Sequence, residues 1–162
     1  MYRQKSEIIG QIQSYHRQVA ELYSTVCDRV EERKMKSLLQ EMLQHEKSRE
    51  QYLERHKMIA EAMNCWLDFP CEKLSDQIAE CFRVLDLQES ISMEYLLRIQ
   101  LHFDDCLIKL YNILSSENAL SESAASIFYY MLRKTEKEKN MLAGMLHNSG
   151  NGLHFASAMN QL

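Results

Sequence analysis

Six ionisable residues occupy positions where amphipathic helices should be apolar. Steps of three or four residues trace a mainly apolar stripe along each of four helical segments, and polar residues interrupt every stripe near its middle. These residues are His16, Glu46, Arg49, Asp104, Glu136 and Lys139. At a helix rise of about 1.5 Å per residue, the first three share one height in an antiparallel pair, and so do the last three. The sequence therefore predicts one buried polar layer at the middle of a bundle.

The charges of this layer can balance one another. Three carboxylates face Arg49 and Lys139, and a protonated His16 would supply the third positive charge. An unpaired buried charge costs several kcal/mol, so the six groups must satisfy one another or bind something that does. We expect a buried ion-pair network that needs no cofactor. The alternative is that Glu46, Asp104, Glu136 and His16 bind a metal ion in place of the two cations.

The composition predicts an all-α protein with one domain. The chain has 162 residues, of which 46% are hydrophobic, and it contains only four Gly and one Pro, so it lacks the residues that strands and tight turns require. Long helices are predicted at 3–30, 33–63, 87–116 and 121–148. Short turns within the first and second pairs predict two antiparallel hairpins. The predicted bundle spans residues 1–148, and residues 149–162 form a C-terminal tail.

The connection between the hairpins is predicted to contain a short helix of its own. Asp68 and Pro70 indicate where that helix starts, and Asp86 with Glu89 forms a capping-box pattern that opens the third long helix. The connection is long enough to run back along the bundle. The second and third long helices are therefore expected to be parallel.

Charge and hydropathy exclude several classes of partner. The net charge of −4 is spread along the chain, so no basic face for nucleic acid is expected. No apolar run approaches the roughly 18 residues of a membrane span, and the charged N-terminus does not resemble a signal peptide. Five cysteines, an odd number, favour reduced thiols in a cytosolic protein. Cys65 and Cys71 could form a redox or metal pair, but their spacing favours small buried hydrophobic residues.

Four stretches of the sequence match a known helical pattern: "HRQVAELY", "LLQEMLQHEKSREQYL", "DDCLIKLYNIL" and "MLRKTEKEKNML". They resemble the rubrerythrin-like branch of the ferritin-like superfamily over nearly all of residues 5–147. The family's first and third helices each supply a Glu seven residues before a Tyr, and the other two supply Glu-x-x-His. The resemblance implies a ferritin-like four-helix bundle that holds two iron or manganese ions.

The sequence departs from that family at its ligand positions. Seven residues before Tyr23 stands His16, and seven before Tyr111 stands Asp104. The two Glu-x-x-His positions read Glu46-Lys47-Ser48-Arg49 and Glu136-Lys137-Glu138-Lys139. Both histidines are thus replaced by cations, which cannot ligate a metal while charged. We therefore interpret the layer as a degenerate di-iron site in which ion pairs replace the metal.

Other aromatic and imidazole side chains receive simpler interpretations. His56 lies on the second stripe and is expected to be a core or end-of-bundle histidine. His45 and Glu41 form an i, i+4 pair that is expected to face solvent. The tyrosines at helical spacing are expected to be core residues rather than radical sites; they are Tyr15, Tyr23, Tyr111, Tyr129 and Tyr130.

Three functions are compatible with these patterns. The first is a non-catalytic, metal-free interaction or oligomeric module, and no feature of the sequence identifies its protein partner. The second is a rubrerythrin-like oxidoreductase or metal-storage protein, and the third is a bundle whose polar layer floors a pocket for a small anionic or lipid-like ligand. Two apolar helix faces could form a homodimer: Ile8, Tyr15 and Leu22, or Ile127, Tyr130 and Met131.

Overall fold

A computed structural model describes residues 2–64, 66–68, 71–85, 87–116 and 122–148. Within these residues the chain forms five α-helices and two three-residue strands. The helices are α1 (Lys5–Arg29), α2 (Arg33–Ala62), α3 (Cys71–Arg83), α4 (Met93–Ser116) and α5 (Glu122–Asn148); the strands are β1 (Tyr2–Gln4) and β2 (Trp66–Asp68). The all-α fold class is confirmed. The predicted tail, residues 149–162, lies outside the described residues.

The long helices form two antiparallel hairpins. Between α1 and α2, Gln13 bonds to Glu54 and His16 bonds to Glu46. The residue numbers of α2 fall as those of α1 rise, so the two helices are antiparallel. Between α4 and α5, Lys139 pairs with Asp105, whereas the rings of Tyr111 and Phe128 lie 6.4 Å apart. Both hairpins are closed mainly by apolar side chains from the facing stripes, which is how amphipathic helices remove apolar surface from water.

Helices α2 and α4 start at the same end of the bundle and run parallel. Val30 and Met35, at the turn between α1 and α2, line a surface cavity together with Ile91, which precedes α4. At the other end, Met63 of α2 and Ser126 of α5 line one cavity. The connection between the hairpins therefore returns the chain along the bundle, and α3 within it packs against α4 and α1.

The short strands join the N-terminus to the hairpin connection. β1 pairs antiparallel with β2 in the register Tyr2 to Asp68 and Gln4 to Trp66. Asn64 has a φ of 48°, and Asn tolerates this left-handed conformation better than most residues. Its side-chain oxygen accepts a hydrogen bond from the Trp66 indole at 3.1 Å. This ribbon could not be predicted from the sequence, because two three-residue segments carry no periodic signal.

Two predicted helix starts differ from the structure. Helix α4 begins at Met93, and Ser92 caps it by accepting a hydrogen bond from the backbone N–H of Tyr95 at 3.1 Å. The predicted capping box was therefore wrong: Glu89 lies outside the helix and Asp86 outside the described residues. Asp68 belongs to β2, α3 begins at Cys71, and the structure does not describe Pro70.

The predicted homodimer faces are mostly core. Ile8 and Tyr15 are fully buried and Leu22 is half buried, because α3 and α4 also pack over α1. On α5, Ile127 and Met131 are buried, whereas Tyr130 is 51% exposed. Large apolar side chains that do reach the surface are Met58, Ile59, Met63, Trp66, Val84, Tyr129 and Tyr130. None of the helices in the described ranges is long and apolar enough to cross a bilayer.

Candidate functional site: a buried ion-pair network

Arg49 lies at the centre of a buried cluster in the middle of the bundle. Its side chain is 5% exposed. Nη1 donates to Glu46 Oε1 at 3.0 Å, and both Nη1 and Nη2 donate to Asp104 Oδ1 at 3.2 Å. Nη2 also donates to Glu138 Oε2. One guanidinium thus joins carboxylates from α2, α4 and α5.

Two histidines complete this set, which we call the Arg49 cluster. His16 of α1 lies with Nδ1 2.6 Å from Glu46 Oε2, and His45 of α2 lies with Nε2 3.1 Å from Glu138 Oε2. A carboxylate oxygen accepts, so the facing ring nitrogen is the donor in each bond. His16 is fully buried, and the His45 side chain is 16% exposed.

The pKa values of the three carboxyl groups shift in different directions, although all three groups contact the Arg49 guanidinium. Burial raises the pKa of Glu46, but Arg49 and His16 outweigh burial and leave that pKa below its ordinary value. Burial also opposes ionisation of Glu138, yet His45 and Arg49 lower its pKa to about 2. For Asp104 burial dominates, and the negative charges of Glu46 and Glu138 add to it, so its pKa rises to about 6 despite Arg49.

Asp104 is therefore the carboxyl group of the cluster that takes up a proton most readily. Its Oδ1 accepts both bonds from Arg49, whereas its buried Oδ2 has no hydrogen-bond partner among the described residues. With neutral histidines, three ionised carboxylates would leave the cluster with a net charge of −2, since Arg49 alone is positive. A proton on Asp104 reduces this excess. Arg49 itself remains charged, because burial lowers its pKa less than the three carboxylates raise it.

Four of the six residues predicted for the polar layer meet here, and two do not. His16, Glu46, Arg49 and Asp104 are buried together, but the side chain of Glu136 is 38% exposed and pairs with Arg133 at 3.6 Å. The Lys139 side chain is 35% exposed and pairs with Asp105. The prediction that Glu136 and Lys139 belong to the layer was therefore wrong.

The error lies in the register of α5. Five of its buried positions alternate steps of three and four residues: Phe128, Met131, Thr135, Glu138 and Leu142. The prediction stepped from Leu132 to Glu136 and so turned onto the flank of the helix, since each residue advances about 100°. Glu138 was missed for that reason. His45, predicted to face solvent with Glu41, contacts Glu138 instead.

The flanking tyrosines are core residues of this layer. Tyr23 and Tyr111 are fully buried, and their hydroxyls have no hydrogen-bond partner among the residues described. Burial raises the pKa of each phenol, so both stay neutral. Tyr15 is also buried and donates to the Phe103 carbonyl at 2.6 Å. His56 is separate from the cluster: its ring lies 4.7 Å from that of Tyr52, at the end of the bundle.

The residues present do not fit a di-metal centre. In the family pattern, carboxylates at these positions bind two metal ions. Here Glu46 and Asp104 both bind the Arg49 guanidinium instead. A guanidinium donates hydrogen bonds and has no lone pair for a metal. Across the described ranges, no group of three or more His, Cys, Asp and Glu side chains has an arrangement that could hold a metal ion. Glu136, the fourth proposed ligand, lies on the surface.

A groove between α2 and α5 leads from this cluster to the end of the bundle. One cavity of about 270 Å³ adjoins the cluster, and its lining carries four basic side chains. These are His45, Arg49, Arg55 and Lys134. The next cavity, of about 410 Å³, is lined mainly by apolar and aromatic residues, among them Ile59, Met63, Ile127 and Tyr130. Tyr52 lines both cavities, so they lie next to each other along α2, and together they form the groove.

Comparisons with protein-family models, with curated proteins and with solved structures give no match for this chain. The ferritin-like resemblance therefore stays an expectation from the sequence.

Proposed function

We propose that this protein is a non-catalytic, metal-free member of the ferritin-like type, in which the Arg49 guanidinium takes the place of a di-metal centre. The observation that carries the proposal is the contact of Arg49 with three carboxylates from three helices. A fixed cation supplies the positive charge that metal ions would bring, and it donates hydrogen bonds to one oxygen of each carboxylate that burial removes from water. A group held in this way stabilises the fold and has no open position for a substrate.

We assign the protein a role as an interaction or oligomeric module of the cytosol. The support comes from apolar side chains exposed near the end of α2, where Met58, Ile59 and Met63 are each more than half exposed. Tyr130 of α5 lies across the groove from them. Apolar side chains grouped in this manner mark surfaces that bind other molecules more often than isolated ones do.

Metal analysis of the full chain tests the metal-free state. Protein produced in medium supplemented with iron and manganese should contain far less than one equivalent of either metal, measured by mass spectrometry of the digested protein. About one metal per chain, removed by a chelator with a fall in melting temperature, would establish the rival metal-binding function. Arg49→His is a useful companion variant. If Arg49→His binds iron and the wild type does not, the other ligand positions of the family pattern are still arranged to hold a metal.

Substitution of Arg49 tests whether the guanidinium holds the cluster together. Arg49→Met leaves three buried carboxylates without their cation and should lower the free energy of unfolding by about 3 to 5 kcal/mol. The matched control is Arg17→Met, which breaks an exposed bond to Glu50 and should cost less than about 1 kcal/mol. Adding Glu46→Gln and Asp104→Asn to Arg49→Met should recover much of the loss. Equal costs for both arginines would contradict the proposal.

A second candidate function is the binding of a small amphipathic anion in the groove between α2 and α5. Arg55 and Lys134 line one end beside the Arg49 cluster, and no Asp or Glu is among the described residues that line either cavity. The far end includes Lys5 but is lined mainly by apolar and aromatic side chains. Arg55 and Met63 are separated by about 12 Å along α2, which suits an extended carboxylate with an aliphatic chain. A cavity of this size and mixed lining is typical of sites for small molecules.

Calorimetry with decanoate and decanol separates the two candidate functions. Decanoate should bind at least about tenfold more tightly than decanol if the basic end recognises the carboxylate, a difference of about 1.4 kcal/mol. Arg55→Gln should weaken decanoate binding, whereas Arg98→Gln, whose exposed side chain bonds to Glu94 on α4, should not. No binding of decanoate, or binding of an acidic helical peptide alone, would reject the small-ligand function and leave a protein partner.

A further inference from the structure

Two buried cysteines meet where the hairpin connection packs against the bundle. Cys81 of α3 is 1% exposed and Cys106 of α4 is 4% exposed, and both are free thiols. His102 stands one helical turn before Cys106. Its Nε2 lies 2.8 Å from the Cys81 carbonyl oxygen and 3.7 Å from Cys106 Sγ, so one ring nitrogen touches both cysteines.

The hydrogen bonds of this site have a defined direction. A carbonyl oxygen only accepts, so His102 Nε2 carries the hydrogen and donates it to Cys81, while the Cys106 sulfur lies 3.7 Å from the same nitrogen. The Cys106 thiol in turn bonds to Cys81, which lowers the pKa of Cys81 and raises that of Cys106. A thiolate therefore forms more easily at Cys81 than at Cys106. Cys81 is the better nucleophile of the pair.

We propose that Cys81 and Cys106 form a reversible disulfide between α3 and α4 when the protein meets a hydroperoxide. The Cys81 thiolate attacks the outer oxygen of the hydroperoxide; an S–O bond forms, the O–O bond breaks, and the remaining alkoxide leaves as the alcohol after taking a proton. Cys106 then attacks the Cys81 sulfenic acid, the S–S bond forms, and water leaves. Two thiols and one hydroperoxide thus give one disulfide, one alcohol and one water.

Burial of the pair selects the oxidant. A small neutral hydroperoxide can enter when the 13-residue helix α3 opens locally, whereas a bulky charged disulfide such as oxidised glutathione is hindered. The disulfide closes a loop of about 25 residues and fastens the connection to the core, so we expect the melting temperature to rise by about 5 to 10 °C. A thiol reductant should reverse the rise.

Peptide mapping provides the test, because trypsin places Cys81 and Cys106 in different peptides. Cleavage at Lys and Arg places Cys81 alone in residues 74–83 and Cys106 alone in residues 99–109. Cys65 and Cys71 share residues 58–73, and Cys27 lies in residues 18–29. After treatment of the full chain with hydrogen peroxide and alkylation of the remaining thiols, the crosslinked pair 74–83 with 99–109 should be the main disulfide product.

Variants test whether Cys81 and Cys106 react with peroxide or are only buried thiols. Cys81→Ser and Cys106→Ser should each abolish the crosslink and the peroxide-dependent rise in melting temperature, while Cys27→Ser should preserve both. His102→Gln should slow crosslinking severalfold and leave its pairing unchanged. The crosslink is measured on the unaltered protein, so a folding defect in one variant does not decide the outcome. Recovery of both peptides as separate alkylated species, or a disulfide confined to residues 58–73, would overturn the proposal.

Discussion

Asp104→Asn should change the pH dependence of stability in a direction that the structure fixes. The buried Oδ1 of Asp104 accepts two bonds from Arg49, and Oδ2 has no partner within the described part of the chain. Burial raises the pKa of Asp104 from 3.8 to about 6. Between these values the folded protein holds a proton that the unfolded chain releases. Asn has nearly the same shape, can still accept from Arg49, and has no proton to lose.

The sign and size of the effect follow from proton linkage. Because the folded state binds more protons in this window, ionisation of Asp104 lowers the free energy of unfolding as the pH rises from about 4 to about 6. The difference between the two pKa values corresponds to about 3 kcal/mol. Glu46 and Glu138 have lowered pKa values, so their contributions are lost as the pH falls, and they occur in both proteins. The stability of Asp104→Asn relative to the wild type should therefore rise by about 3 kcal/mol between about pH 4 and pH 7.

Urea unfolding followed by circular dichroism at several pH values measures this difference. The matched control is Asp105→Asn, because the neighbouring Asp105 is about half exposed and pairs with Lys139 at the surface. Because solvent screens this exposed pair, the change caused by Asp105→Asn should be small beside that caused by Asp104→Asn. A constant or falling difference for Asp104→Asn would show that Arg49 keeps Asp104 ionised throughout, and would refute the charge assignment of the cluster.

Four further substitutions, one of them a control, test the fold by urea unfolding. Glu138→Gln should lower the free energy of unfolding by about 2 to 3 kcal/mol, because it removes the charge that binds Arg49. Its control, Glu136→Gln at the more exposed position, should change that free energy by less than about 0.5 kcal/mol. Equal effects would contradict the observed register of α5. Ser92→Ala should cost about 1 kcal/mol through loss of the α4 cap, and a neutral result would show that another group caps the helix. Leu53→Ala, in a fully buried position of α2, should cost about 2 to 5 kcal/mol, and a loss below about 1 kcal/mol would indicate that the site collapses around the smaller side chain.

The helices could be predicted from the sequence because their physical signals are local. Scarce Gly and Pro and a continuous apolar period near 3.6 residues favour helices of this length whatever surrounds them. The predicted segment 33–63 and the observed α2, Arg33–Ala62, differ by one residue. The start of α4 was misplaced because several polar residues before it could act as caps, and the choice of Ser92 depends on where packing begins.

The sequence by itself also determined that His16, Glu46, Arg49 and Asp104 would be buried, because each interrupts a stripe whose other residues are strongly apolar. Only the tertiary structure decided which carboxylate of α5 joins them. The segment Thr135-Glu-Lys-Glu-Lys139 alternates the two charges, so the charge pattern fits two registers that differ by a rotation of about 200°. Burial of Phe128, Thr135 and Leu142 against the neighbouring helices fixes the rotation of α5. Glu138 consequently points inward to Arg49 and His45, and Glu136 remains at the surface.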